Sequence, residues 1–217
     1  SIKDFHYDLQ DERIAKYPLA ERDLSKLLIY QNEVISESQY INIDTFLPAD
    51  SLLFFNNTKV IPARLFFKTA TDKHIEIFCL EPISDKADVY ANMLQTTSAR
   101  WKCLVGGAAK WKEQFVTLVT QDLQMKAEIK ERLLDTFVIE FTWQPAHKNF
   151  AEILQIAGAI PIPPYLNRAT EDIDLVRYQT IYAQKEGSVA APTAGLHFTD
   201  KVFEKLKVKH ITPSYVT

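Results

Sequence analysis

Glycine is scarce in this chain, with five residues among 217. No GxGxxG follows a strand-like run, and neither a Walker A loop nor a GxSxG elbow occurs. The commonest glycine-built phosphate cradles and hydrolase nucleophile turns are therefore excluded, while nucleoside binding on another fold is not. HExxH is missing too, and the two cysteines, Cys79 and Cys103, lie far apart without a CxxC. Neither a zinc site nor a disulfide framework is expected, and the expected metal complement is none. No stretch reaches the roughly 20 apolar residues of a membrane span, and residues 1–6 lack the apolar run of a signal peptide. A cytoplasmic location with no membrane partner is the default. A positive balance is lacking as well, the net charge being −3 at pH 7. Contact with nucleic acid must then come from a local patch and not from a global field.

What is present suits a globular protein, since 47% of residues are hydrophobic and the chain is long enough for one large domain or two small ones. Residues 27–30 and 52–55 are short apolar runs that read as buried strands. Between about 65 and 143, strand-like pieces recur at 75–80, 89–94, 101–105, 115–120, 125–129 and 137–141. Such short strands with turn signals between them are the pattern of a small barrel or sandwich. Helices return afterwards. Asn149 and Glu152 resemble a capping box ahead of an apolar stripe of Phe150, Ile153, Leu154 and Ala157, and Gly158 is placed to end that helix. Further helices are expected over 171–182 and after an N-cap at Thr199 or Asp200. The fold class is an α/β (mixed α+β) domain, residues 1–64 and 149–217, interrupted by an inserted small β-barrel, residues 65–148.

Several clusters could carry chemistry. In 189–198, a run of small residues surrounds Thr193, Gly195 and His197. Small residues admit a close ligand, Gly195 offers dihedrals that a Cβ forbids, and a histidine exchanges protons near neutral pH. A tight structural turn is the alternative. Asn57 follows an apolar strand and precedes Arg64, a pair that could orient a polar ligand or simply form a turn. The proline-rich rod at 160–164 presents Tyr165, which could stack on a base, beside Arg168. Gln179 lies in a polar stretch that could face a pocket or pack. Cations cluster at Arg100, Lys102, Lys110 and Lys112 around Trp101 and Trp111, and again at Lys201, Lys205 and Lys209. Each cluster is either a solvated face or an RNA contact.

Taken in order, the segments 14–18 with Arg22, 55–65, 162–165, 178–183 and 187–198 closely resemble one family, the S-adenosylmethionine:tRNA ribosyltransferase-isomerases (QueA) of queuosine biosynthesis. The resemblance implies an enzyme that transfers and isomerises the ribosyl group of S-adenosylmethionine onto 7-aminomethyl-7-deazaguanine in a tRNA anticodon. Epoxyqueuosine forms, and adenine and methionine leave. It implies S-adenosylmethionine as a consumed co-substrate, the tRNA anticodon stem-loop as partner, and an α/β domain interrupted by a β-barrel. His197 is then the catalytic candidate for proton handling. Asn57, Thr193 and Gly195 would shape a nucleoside pocket, and Arg64 would meet a phosphate or carboxylate. Tyr165 would be a stacking surface, with Arg168 and Gln179 as further substrate contacts.

Lys26 and Lys59 stand where the family usually has arginine, which keeps the charge but loses the bidentate fork. Family members also run on beyond residue 217, so the chain is expected to cover their N-terminal two-thirds and to leave the α/β domain incomplete at its C-terminal end. The alternatives are a catalytically incomplete RNA-binding fragment or paralogue, and a structural protein–protein module. A generic methyltransferase is disfavoured by the missing glycine-rich loop. Oligomeric state is left open.

Overall fold

The computed structural model describes residues 1–83 and 89–217. In chain order its elements are β1 (Lys26–Gln31), β2 (Val34–Gln39), β3 (Leu52–Asn56), β4 (Thr58–Val60), β5 (Arg64–Lys68) and β6 (His74–Pro82). Then come α1 (Val89–Met93), β7 (Ser98–Gly106), β8 (Phe115–Val119), β9 (Gln124–Arg132), β10 (Phe137–Gln144) and α2 (Phe150–Ala157). The last are α3 (Asp174–Arg177), β11 (Lys185–Ser188), α4 (Asp200–Val208) and β12 (Thr212–Val216). The protein is thus mixed α/β with a closed barrel, as its residue pattern suggests. The chain divides into two units, one of residues 1–56, 162–181 and 193–216, the other of 57–161, 182–192 and Thr217.

In the second unit six antiparallel strands close in the order β10-β7-β6-β5-β8-β9. Successive side chains of a strand point to opposite faces, so alternate residues fill the interior: Ile75, Ile77 and Cys79 of β6, Ala99, Trp101 and Cys103 of β7. The α2 helix adds to this core. Asn149 caps it reciprocally with Glu152, and Phe150 packs 5.4 Å from the Trp101 ring, 5.6 Å from Phe141 and 5.5 Å from Trp143. Gly158 ends the helix, and a Cβ there would lie 1.9 Å from the carbonyl oxygen of Pro62. Only glycine allows that approach, which places Ala159 in a bridge with Arg64.

Two expectations for this unit change. Residues 89–94 are not a strand but contain the single helical turn α1, because a short apolar run does not discriminate the two states. The sixth barrel strand is β5 instead. Trp101 and Trp111 are both buried, with 1% and 3% of their surface exposed, so neither can stack on RNA.

In the first unit β1 and β2 form a hairpin whose two turn residues, Asn32 and Glu33, both have positive φ (51° and 63°). That geometry matches the twist of a two-residue hairpin. Strand β12 runs parallel to β3. Ahead of it, α4 starts at Thr199, whose hydroxyl accepts from the N–H of Val202 and donates to the buried carboxylate of Asp23. Helix α4 buries Val202 and Leu206, and Phe203 joins Phe55 and Phe198 in a ring cluster. The runs 27–30 and 52–55 are strands but not buried ones, since Leu28, Tyr30, Leu52 and Phe54 are exposed. A two-stranded sheet leaves one face open. The helix expected over 171–182 is reduced to the single turn α3, whose first residue Asp174 binds Arg168.

Candidate active site

A cavity of about 590 Å³ opens in the first unit. Three stretches of chain build it: residues 14–26, residues 163–178 and the 3-10 turn Thr193–His197. Among the sequence candidates, Tyr165, Thr193 and His197 all line this one cavity. Tyr165 sits in the 3-10 turn Pro164–Leu166, whose start the fixed φ of Pro164 suits, and is 61% exposed. His197 lies 5.0 Å from the ring of Tyr40, centroid to centroid. The Tyr40 hydroxyl donates to the carbonyl of Ala194, which braces the turn, and burial pushes that phenol up to about 12. Gly195 is buried within the same turn. Its conformation there is helical, so no left-handed φ is used, and it is not among the residues that line the cavity.

Arg168 and Gln179 belong to this unit but lie outside the cavity wall. Arg168 donates twice to the carboxylate of Asp174 (2.7 and 2.8 Å), and also to the carbonyls of Lys16 and Ala169. Its guanidinium stands 4.7 Å from the centroid of the Tyr17 ring. The bidentate bond to Arg168 holds the Asp174 carboxyl below the usual range, and the same bond raises the guanidinium. Arg168 therefore ties two walls of the cavity together. Gln179 contributes its carbonyl, which accepts from Arg22 at 2.6 Å.

The second unit carries the other two candidates. Asn57 is buried and holds the join of β4 and β11. Its carbonyl accepts from the N–H groups of Gln184 and Lys185, and its Oδ1 from the Thr217 hydroxyl at 2.8 Å. Arg64 Nε lies 3.1 Å from Glu76 Oε1, an ion pair by distance whose alignment falls short of a hydrogen bond. Its guanidinium also faces the Phe78 ring at 5.6 Å.

Polar and aromatic residues not named as substrate contacts from the sequence also line the cavity: Lys16, Tyr17, Arg22, Lys26, Arg177 and Tyr178. Most fall in the family-like segments 14–18 with Arg22 and 178–183, which was the available signal. Arg22 donates to the carbonyls of Val176 and Gln179, while Arg177 donates back to those of Leu19 and Ala20. This reciprocal clasp holds two guanidinium groups near each other. Burial, and then the charge of Arg177, lower the affinity of Arg22 for its proton.

The two cationic clusters are engaged differently. Arg100 and Lys102 pair with Glu140 (2.7 Å) and Glu81 (2.8 Å). Lys201 pairs with Glu21, and the ammonium groups of Lys205 and Lys209 bind carbonyls of residues 41–47. Those lysines cap the 3-10 helix Tyr40–Phe46. Among the described residues no three His, Cys, Asp or Glu side chains converge as metal ligands, and no helix is long and apolar enough to cross a membrane.

Comparison with known proteins agrees with the segment pattern. A family model described as "Queuosine biosynthesis protein" matches residues 2–217. Proteins named S-adenosylmethionine:tRNA ribosyltransferase-isomerase are similar in sequence. One from Trichlorobacter lovleyi is 39% identical over 220 residues, covering 100% of this chain and 59% of that protein. One from Aquifex aeolicus is 37% identical over 218 residues, covering 100% and 60%. A crystal structure of S-adenosylmethionine tRNA ribosyltransferase from Thermotoga maritima matches 97% of this chain and 56% of that one, at 26% identity and a TM-score of 0.34. The chain thus spans about six-tenths of the length of the curated relatives it matches. On the match over residues 2–217, it belongs to the queuosine biosynthesis protein family.

Proposed function

We propose that this protein acts as an S-adenosylmethionine:tRNA ribosyltransferase-isomerase. In this reading the ribosyl group of S-adenosylmethionine is transferred and isomerised onto 7-aminomethyl-7-deazaguanine in the tRNA anticodon, giving epoxyqueuosine. Adenine and methionine are the leaving products, and S-adenosylmethionine is a consumed co-substrate. The observation that carries the reading is the convergence of Tyr165, Thr193 and His197 on one cavity within a chain that the family model covers from residue 2 to 217.

The chemistry needs a proton removed beside the sulfonium and protons guided around the departing adenine. An imidazole both takes and gives protons at neutral pH, which suits His197 for that role. Tyr165, being exposed at the rim, offers a face for a base, and the Thr193 hydroxyl offers a hydrogen bond. Gly195, buried in the same turn, is assigned to shaping the nucleoside pocket through its neighbours Thr193 and His197. Asn57 and Arg64, both of the second unit, are proposed as further substrate contacts. Arg168 acts on the ligand indirectly by tying the walls, and Gln179 through its bond to Arg22. The organisation proposed is an α/β domain of 1–64 and 149–217 interrupted in sequence by an inserted barrel domain of 65–148.

The test is adenine release from S-adenosylmethionine, with and without an anticodon stem-loop carrying the 7-aminomethyl-7-deazaguanine base. RNA-dependent release with a matching ribosyl mass gain on the RNA is the expected result. Release without mass gain, or none at all, would sink the transferase reading. In an active preparation His197→Ala should slow release by at least about 100-fold, the scale of a lost acid–base group. A loss of only a few-fold would remove the proton-handling assignment.

A further inference from the structure

The walls of the first-unit cavity carry Lys16, Arg22, Lys26 and Arg177, and no carboxylate is among its lining residues. The nearest acids are otherwise engaged. Glu171 accepts from the Tyr17 hydroxyl, Asp174 binds Arg168, and Glu37 stands 3.8 Å from an exposed Lys26 ammonium. Arg22 and Arg177 are bound only to neutral carbonyls in their clasp, so their charges are not cancelled. Lys16 goes further. Its Nζ is shielded from solvent and has no hydrogen-bond partner. A buried ammonium without a partner is costly, and an anion brought against it recovers that cost. Its four-carbon stem lets the charge swing toward a ligand.

We propose that this cavity, where His197 would meet S-adenosylmethionine, also takes a phosphate of the RNA substrate, with Lys16 as its phosphate contact. This rests on the transferase reading for the identity of the RNA. A ribonucleotide suits such a wall, since each phosphate is an anion and each base has a face. Tyr17, Tyr165 and Tyr178 line the same cavity and supply aromatic surface for that face. A volume of about 590 Å³ lies within the range of sites that hold one such ligand.

The test measures binding without turnover, so it does not depend on the chemistry proceeding. Affinities of wild type, Lys16→Met and Lys16→Arg are measured for the anticodon stem-loop over a range of salt, and for S-adenosylmethionine and methionine at one salt. Lys16→Met should weaken RNA binding about tenfold to a hundredfold, the scale of a lost charge-assisted hydrogen bond. It should also reduce the salt slope by about one, while Lys16→Arg restores both and the affinity for S-adenosylmethionine stays within about twofold. Since Lys16→Met removes an unpartnered buried charge, its thermal midpoint should equal or exceed that of wild type. Lys26→Gln is the second variant; its side chain is 87% exposed, so folding is not at stake, and it too should lower the salt slope. Loss of S-adenosylmethionine or methionine affinity with RNA binding intact would overturn the proposal and give Lys16 to the methionyl carboxylate. Unchanged affinity for every ligand in both variants would also overturn it. Lysine-dependent RNA binding with no adenine release would uphold the nucleotide site and sink the transferase reading alone.

Discussion

Replacing Asp174 by Asn tests whether one ion pair holds the cavity together. Asp174 is fully buried, and its carboxylate accepts two bonds from Arg168 and a third from the N–H of Glu171. The Arg168 side chain is itself only 10% exposed. An amide keeps the shape but removes the charge and turns one acceptor into a donor facing a guanidinium. Breaking a buried pair from one side strands the other charge, at a cost of about 3–5 kcal/mol. For a chain of this size that corresponds to a fall in thermal midpoint of roughly 6–20 °C. Urea titration and thermal unfolding read the loss directly. Arg168 also holds the Lys16 carbonyl and covers the Tyr17 ring, so RNA affinity should fall with stability.

The double variant Asp174→Leu with Arg168→Met leaves no stranded charge and should recover most of the stability but not the cavity. The pH dependence has a fixed sign. The Asp174 carboxyl is held below its ordinary value by Arg168, so its contribution is present above the unfolded value near 4 and is lost as pH falls through the folded value. Wild type should therefore lose stability below about pH 4 in a step that Asp174→Asn lacks. A loss under about 1 kcal/mol in Asp174→Asn, or an unchanged acid profile, would refute the reasoning.

Gly158→Ala should cost about 2–4 kcal/mol, because the new Cβ meets backbone on both sides, at 1.9 Å from the Pro62 oxygen and 2.6 Å from that of Leu154. Chemical denaturation checks it, and a neutral result would mean that the 158–159 chain can retreat from β5 freely. Thr199→Ala removes both the α4 cap and the bond to buried Asp23, and should destabilise by about 1–2 kcal/mol. Thr199→Ser should restore most of it. Arg100→Ala and Lys102→Ala should leave RNA affinity within about twofold, because both cations already face carboxylates across the sheet. A large loss in a filter-binding titration would return that strand to the RNA surface.

Much of the fold was written in short-range pattern. Residues 75–80 and 137–141 read as short strands between turn signals, and β6 and β10 formed there. Asn149, Glu152 and Gly158 marked both ends of α2, and the pair Thr199 and Asp200 marked the start of α4, where Thr199 is the cap. These features depend on neighbours within a few residues, so one sequence displays them. Segment order was equally legible, and the family match over 2–217 agrees with it.

What the sequence could not display is who faces whom. Arg100 and Lys102 look like a basic patch in the chain, but barrel register sets them opposite Glu140 and Glu81. Trp101 sits between them in the sequence and points the other way, into the core. Arg168 reads as a free cation until Asp174 turns in beneath it. The cavity itself joins chain around residues 14–26, 163–178 and 193–197, the first of them more than a hundred residues before the other two. Local propensity and spacing therefore determined the elements, their caps and the order of the family-like segments. Only tertiary packing decided which charges were cancelled and which were left facing one cavity, because charge pairing acts through space and not along the chain.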